Sequence, residues 1–184
     1  MPSLVKVDYS ESHADIVTWL GMYRVATPGV GLQDNGTVRM DEENEPQPDA
    51  FLRIESKEVG SSWISEDNYI EGAPELIVEV AGSSASYDLH EKLRTYQRSG
   101  VQEYLVWQIY ENRLDWFELQ ERKYVARQPD TEGIIRSKVF PGLYSAVNAL
   151  LAGDMAEVLV VLQKGLQTKE HAKFVQYLKN AKRE

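Results

Sequence analysis

The sequence predicts an α/β protein, one sheet covered by helices on both faces. Three observations lead to that expectation. Apolar residues recur at helical spacing near the start, in the middle and toward the end of the chain. Between those stretches lie short segments of strand-like composition, bounded by Gly, Pro, Asn and Asp. The strongest of them, Glu75-Leu76-Ile77-Val78-Glu79-Val80-Ala81, carries a near-continuous apolar run, as a central strand covered on both sides must. The order helix, strands, helix, strands, helices then fits a sheet between helical layers.

Residues 13–25 place Ile16, Trp19, Leu20 and Tyr23 on one helical face, and Pro28-Gly29 ends the helix. Short strands are expected over 31–33 and 37–40, joined as a hairpin by Asp34-Asn35-Gly36. Residues 41–48 form an acidic loop punctuated by Pro, and 49–54 a strand. Residues 55–72 are polar and aperiodic, with a weak hairpin near Trp63-Ile64. After the central strand, a loop rich in Gly and Ser leads to a helix over 87–99 that Gly100 caps. Strands follow over 103–109, 113–119 and 124–127, the last two turning at Glu121-Arg122-Lys123. Residues 134–140 are extended and stop at Pro141-Gly142, and 145–182 are helical with a break near 165–168.

A chain of 184 residues fits one domain, or one domain with a helical extension, and can bury a core without a disulfide or structural metal. Cysteine is absent, which excludes thiol catalysis and Cys-ligated zinc. The first residues lack the apolar core of a secretory signal, and no run approaches the roughly 18 apolar residues of a membrane span, so a soluble, cytoplasmic protein without membrane contact is expected. The net charge of −9 argues against a surface that traps phosphates everywhere. Acids concentrate over 34–58, including Glu42 and Glu43, whereas bases slightly outnumber acids over 92–138, the region a nucleic acid would have to use. A solvated mixed-charge surface accounts for most of these residues equally well.

Three charged residues break the local pattern. Leu76, Val78 and Val80 alternate with Ile77 and Glu79, so Glu79 stands late on a strand expected to be buried on both faces. A carboxylate there needs a cation, or else reaches solvent or an Arg at the strand end. Lys92 lies three residues after Leu89 and four before Tyr96, at the edge of an inward helical stripe, where it either serves a site or snorkels to water. Asp49 opens a strand directly after Pro48, which is also ordinary turn chemistry. Taken together, two carboxylates on neighbouring strands can hold one Mg²⁺ and leave positions for water and phosphate, and an ammonium beside them can assist an attacking water.

Pro48-Asp49, Pro74-Glu75-Leu76-Ile77-Val78-Glu79-Val80, Tyr87-Asp88-Leu89-His90-Glu91-Lys92, Gly100-Val101 and Glu103-Tyr104-Leu105-Val106-Trp107 resemble the Uma-type family of putative restriction endonucleases, within the PD-(D/E)XK superfamily. Residues 136–143 resemble its closing strand and Pro-Gly-Leu exit, so the likeness spans about 13–151. The resemblance implies a restriction-endonuclease-like mixed sheet flanked by helices over 1–152, with a C-terminal helical extension over 153–184 packed on the same domain. It also implies hydrolysis of nucleic-acid phosphodiesters dependent on Mg²⁺ or Mn²⁺, with DNA the favoured substrate, and a homodimer. Asp49 and Glu79 would be metal ligands and, with Lys92, the catalytic residues. One position departs from the superfamily pattern: the lysine expected two residues after Glu79 is Ala81, and Lys92 on the next helix stands in for it.

Two other readings stay open. The chain can be a catalytically inactive member of the fold used for dimerisation or partner binding. It can also be a metal-dependent hydrolase of a small phosphate ester with His13 or His90 as base, although a lone His on a helix surface is more often simply solvated.

Overall fold

The computed structural model describes residues 6–41 and 44–181. The first five residues, Glu42 and Glu43 of the acidic loop, and Lys182 at the end of the expected last helix lie outside the described residues.

Helix α1 (Val7–Ala26) comes first, starting earlier than its apolar stripe, and buries Ile16, Trp19, Leu20 and Tyr23 as their spacing requires. Strands β1 (Val30–Asp34), β2 (Val38–Arg39), β3 (Ala50–Ile54), β4 (Ser62–Ile64), β5 (Ile70–Gly72) and β6 (Leu76–Ala81) follow. An interrupted helix then runs through α2 (Ala85–Tyr87), a π turn (Asp88–Lys92) and α3 (Leu93–Ser99), with Gly100 left-handed at its end. Next come β7 (Glu103–Gln108), β8 (Arg113–Gln120), β9 (Lys123–Arg127), β10 (Ile134–Arg136) and β11 (Tyr144–Ala146). Helices α4 (Val147–Leu151), α5 (Met155–Leu166) and α6 (Lys169–Ala181) close the chain.

The main sheet has the order β1-β3-β6-β7-β8-β9. It is mixed: β6 and β7 are parallel and their neighbours antiparallel. Helix α2–α3 is the crossover that a parallel pair demands. Every residue of β6 is buried, and its side chains divide between two cores. Leu76, Val78 and Val80 pack with Trp19, Leu20, Trp116, Val158, Leu162 and Leu178 under α1, α5 and α6. Ile77 and Ala81 pack with Phe51, Tyr96, Tyr104 and Val106 on the face that carries α3. Among the described residues no helix is long and apolar enough to cross a membrane.

Several sequence expectations are corrected. The turn at Asp34-Asn35-Gly36 does not join a hairpin: β1 pairs with β3, while β2 runs parallel to β5 in a separate β2-β5-β4 sheet. Val30 and Leu32 pack with the first core and Val38 with the second, so the chain changes sheets at the turn. The strand expected over 134–140 ends at Arg136. Beyond it, the Ser137 hydroxyl and the Lys138 amide donate to the buried Glu103 carboxylate, at 2.6 and 2.8 Å, and this pulls the backbone out of a ladder. Ser145 and Ala146, read as the start of the last helix, belong instead to β11, which pairs with β10.

The C-terminal helix breaks a second time at 152–154, where Gly153 has φ +71° and Asp154 caps α5 through the Glu157 amide. Gly165 breaks nothing: it lies in the last turn of α5, where a Cβ would come within 2.2 Å of the Gly142 carbonyl oxygen. Gly165→Ala is therefore expected to cost about 2 kcal/mol in urea unfolding, because backbone cannot yield as a side-chain tip can. A loss below about 0.5 kcal/mol would show that this crossing is loose.

Candidate functional site

The register of the sheet decides which charged residues meet. Ala50 and Val78 are the last pair between β3 and β6; continued one step, that register sets Asp49 beside Glu79, whose carboxyl feels the Asp49 charge. Cross-strand neighbours on one face are about 5 Å apart at Cβ. The Val80 amide donates to Asp49 Oδ2 at 2.7 Å, and the Tyr9 hydroxyl donates to Oδ1. The carboxylate of Asp49 is therefore fixed by a backbone donor from the strand of Glu79 and by a side chain of α1.

Helix α1 also supplies His13. Its Nε2 lies 3.1 Å from the Asp49 carbonyl oxygen and 3.2 Å from Asp34 Oδ1, and its ring stacks on Tyr9 one turn earlier. The Asn35 amide donates to the same Asp49 carbonyl at 3.1 Å. The turn after β1 and the start of α1 thus hold the backbone of Asp49 from both sides.

Glu79 is buried in the second core, and both its oxygens are engaged. Tyr96 donates its hydroxyl to Oε1 at 2.8 Å, and Lys92 Nζ lies 2.8 Å from Oε2. The same ammonium lies 3.0 Å from Oδ1 of Asp88, whose side chain is 2% exposed. Lys92 itself is 22% exposed, so one cation with access to solvent serves two buried acids. It reaches them from the π turn, a form of helix that recurs at functional sites.

Burial raises the Glu79 carboxyl to about 7. The Asp49 charge adds to the rise, while Lys92 and the Tyr96 hydroxyl oppose it. Burial alone would lower Lys92, but the Glu79 and Asp88 carboxylates outweigh it and hold the ammonium above its ordinary value. Burial and then the Asp49 hydrogen bond raise the Tyr9 phenol, so it stays a donor.

The structure therefore brings Asp49, Glu79 and Lys92 together and adds Tyr9, His13, Asp88 and Tyr96. His90 is exposed on the helix surface. Tyr9 and His13 carried one sequence signal, their i, i+4 spacing on a single helix; Asp88 and Lys92 share that spacing.

Among the described residues no group of three or more His, Asp or Glu side chains converges into a ready-made metal cage. The donor set nonetheless fits a hard divalent cation. Mg²⁺ keeps several waters and needs only one or two carboxylates, and each carboxylate offers about four acceptor positions, of which two are taken here.

Residues 5–148 match the profile of the Uma2 family, described as "Putative restriction endonuclease". In fold the chain is similar to a solved structure, a putative nuclease belonging to DUF820 from Anabaena variabilis ATCC 29413. The two superpose with a TM-score of 0.63 at 11% identity, over 82% of this chain and 84% of that one. At that identity the likeness is one of fold. No curated protein matches the chain.

Proposed function

The chain belongs to the Uma2 family of putative restriction endonucleases, and we propose that it hydrolyses nucleic-acid phosphodiester bonds with a divalent cation held by Asp49 and Glu79. One observation supports this reading above the others. Two carboxylates at the ends of adjacent strands lie close enough for the charge of one to act on the other, and an ammonium with solvent access contacts one of them.

Asp49 and Glu79 would hold a Mg²⁺ or Mn²⁺ ion, which would supply Lewis-acid polarisation of the phosphate and activation of water. The protein's own groups orient the rest. Tyr9 and the Val80 amide each donate to one oxygen of Asp49 and so fix its rotamer, leaving further acceptor positions on both oxygens. Tyr96 fixes Glu79 in the same way. Lys92, tethered by Asp88, presents N–H donors where an attacking water or a developing phosphoryl charge would lie. His13 stays with the backbone of Asp49 and orients it.

Cleavage assays on DNA and RNA, each single- and double-stranded, with Mg²⁺ or Mn²⁺ and then with EDTA, test the proposal. Metal-dependent cleavage of any of these supports it, and no cleavage of any rejects it. That second outcome favours a catalytically inactive member of the fold that binds partners or pairs as a homodimer, a reading supported by the net charge of −9. Calorimetry is expected to find one Mg²⁺ or Mn²⁺ per chain in the wild-type protein and none in Asp49→Ala. Equal binding by both proteins would remove Asp49 from the metal site.

A further inference from the structure

The open end of the parallel pair carries two exposed aromatic rings that the chemistry at Asp49 and Glu79 does not use. Tyr87 is 51% exposed and Tyr110 is 55% exposed. Tyr87 lies in the short helix that follows the loop after β6, and Tyr110 lies two residues beyond the end of β7. Those strand ends are held together where the Ile109 amide donates to the Ala81 carbonyl at 2.9 Å. Gly82 lies under the Tyr110 ring: a Cβ there would meet the ring edge at 3.7 to 3.9 Å. Both tyrosines thus lie beyond the carboxyl ends of β6 and β7, the end of an open α/β sheet at which ligands bind.

Each ring also has a lysine ammonium beside it, and one of the two ammoniums contacts Glu79. Lys92 Nζ, on Glu79, lies 5.9 Å from the centre of the Tyr87 ring. Lys6 Nζ lies 2.9 Å from the Tyr110 hydroxyl and 5.2 Å from its ring centre, and Lys6 stands one turn before Tyr9, the partner of Asp49. Each ring therefore has an ammonium beside it, and on the Tyr87 side that ammonium also contacts a carboxylate of the site.

On the strength of the nuclease reading, we propose that Tyr87 and Tyr110 are stacking platforms for unpaired nucleobases on either side of the scissile phosphate, which makes single-stranded nucleic acid the preferred substrate class. A duplex binder gains its affinity from many phosphate contacts, and a chain of net charge −9 is poorly equipped for that. Base stacking on an aromatic ring adds affinity for each base on top of the phosphate contacts, a contribution open only to unpaired bases. The two ammonium groups supply local attraction for the phosphates between the bases. Paired bases are stacked on each other and cannot present their faces to the rings, so the arrangement selects for unpaired strands.

The test measures binding by fluorescence polarisation in EDTA and KM for cleavage in Mg²⁺, using labelled DNA and RNA single strands and the corresponding duplexes. Wild-type protein is expected to bind a single strand at least about tenfold tighter than the duplex. Tyr87→Ala and Tyr110→Ala are each expected to weaken single-strand binding and raise KM about tenfold, as loss of one stacked base does. Tyr87→Phe and Tyr110→Phe keep the ring and should retain most of the affinity. Tyr177→Ala, at a comparably exposed tyrosine on α6, should change nothing. The DNA and RNA arms show which sugar the site accepts.

Equal affinity for duplex and single strand overturns the proposal, as do alanine variants that bind like wild type or phenylalanine variants as weak as alanine. In those cases cleavage persists and the nuclease reading stands. Absence of both binding and cleavage in the wild type rejects the nuclease reading and this inference with it.

Discussion

Lys92→Ala is expected to lower stability at pH 8 by about 3 kcal/mol, and by clearly less at pH 5. In the wild type one ammonium lies within 3.0 Å of both Glu79 and Asp88, and both acids are buried. Removing it leaves two buried carboxylates without a counter-charge, a defect that costs about 3 kcal/mol or more. The sign of the pH effect follows from the protons. Glu79 already has its folded-state carboxyl raised to about 7, and loss of Lys92, which lowers it, raises it further. The folded variant then binds more protons than the unfolded chain from about 4.5 upward, so its stability falls as pH rises through that window. Near pH 5 the Glu79 carboxyl is protonated at little cost and its share of the defect fades.

Urea unfolding at the two pH values measures the effect. A lysine that merely snorkels would show a loss below about 1 kcal/mol at both. Cleavage by Lys92→Ala should also fall steeply while metal binding persists. Lys92→Arg should be impaired as well, since a planar guanidinium does not replace a compact ammonium between two acids. Full activity in either variant would take Lys92 out of the mechanism.

Glu79→Gln is expected to behave in the opposite way: equal or greater stability in EDTA at pH 8, by up to about 1 kcal/mol, and loss of Mg²⁺-dependent cleavage by about 10³-fold. Burial is the main force on Glu79, and the Asp49 charge across the strand adds to it. An amide removes both penalties. Lys92 is not stranded, because Asp88 still holds it at 3.0 Å. In the wild type, Glu79 makes stability fall as pH rises from about 4.5 to about 7, because the folded state holds its proton longer. Glutamine cancels that slope. Glu103, which burial also raises to about 7, retains a similar one.

Added Mg²⁺ should raise the melting temperature of the wild type and not of the variant, since a ligand stabilises only the state that binds it. In the double variant Lys92→Ala/Glu79→Gln, the amide should recover much of the stability that Lys92→Ala loses. A Glu79→Gln protein that loses about 3 kcal/mol in EDTA would identify Glu79 and Lys92 as a core ion pair and not a reaction centre.

Local pattern was enough wherever one residue's neighbours in sequence are also its neighbours in space. The stripe Ile16, Trp19, Leu20, Tyr23 sets the buried face of α1, and the alternation along β6 assigns Leu76, Val78 and Val80 to one core and Ile77 to the other. Charges out of place on those patterns singled out Asp49, Glu79 and Lys92 before any distance was known. The long-range pairings were not legible in this way. Asp34-Asn35-Gly36 has the composition of a hairpin turn, yet β1 finds its partner in β3, because burial of Val30 and Leu32 in one core and Val38 in the other outweighs turn chemistry.

The sequence by itself therefore determined the class of fold, the central strand and the type of groups at its end: two acids, a lysine and nothing that thiol chemistry could use. Only the tertiary structure decided how those groups are paired. The register of β3 against β6 put Asp49 beside Glu79. The π turn let one lysine reach both Glu79 and Asp88, and α1 packed so that Tyr9 and His13 arrive at Asp49 from some 40 residues away in sequence. Propensity and periodicity act over a few residues, whereas the charge state of a buried carboxyl depends on whichever groups the packed chain brings within a few ångströms of it.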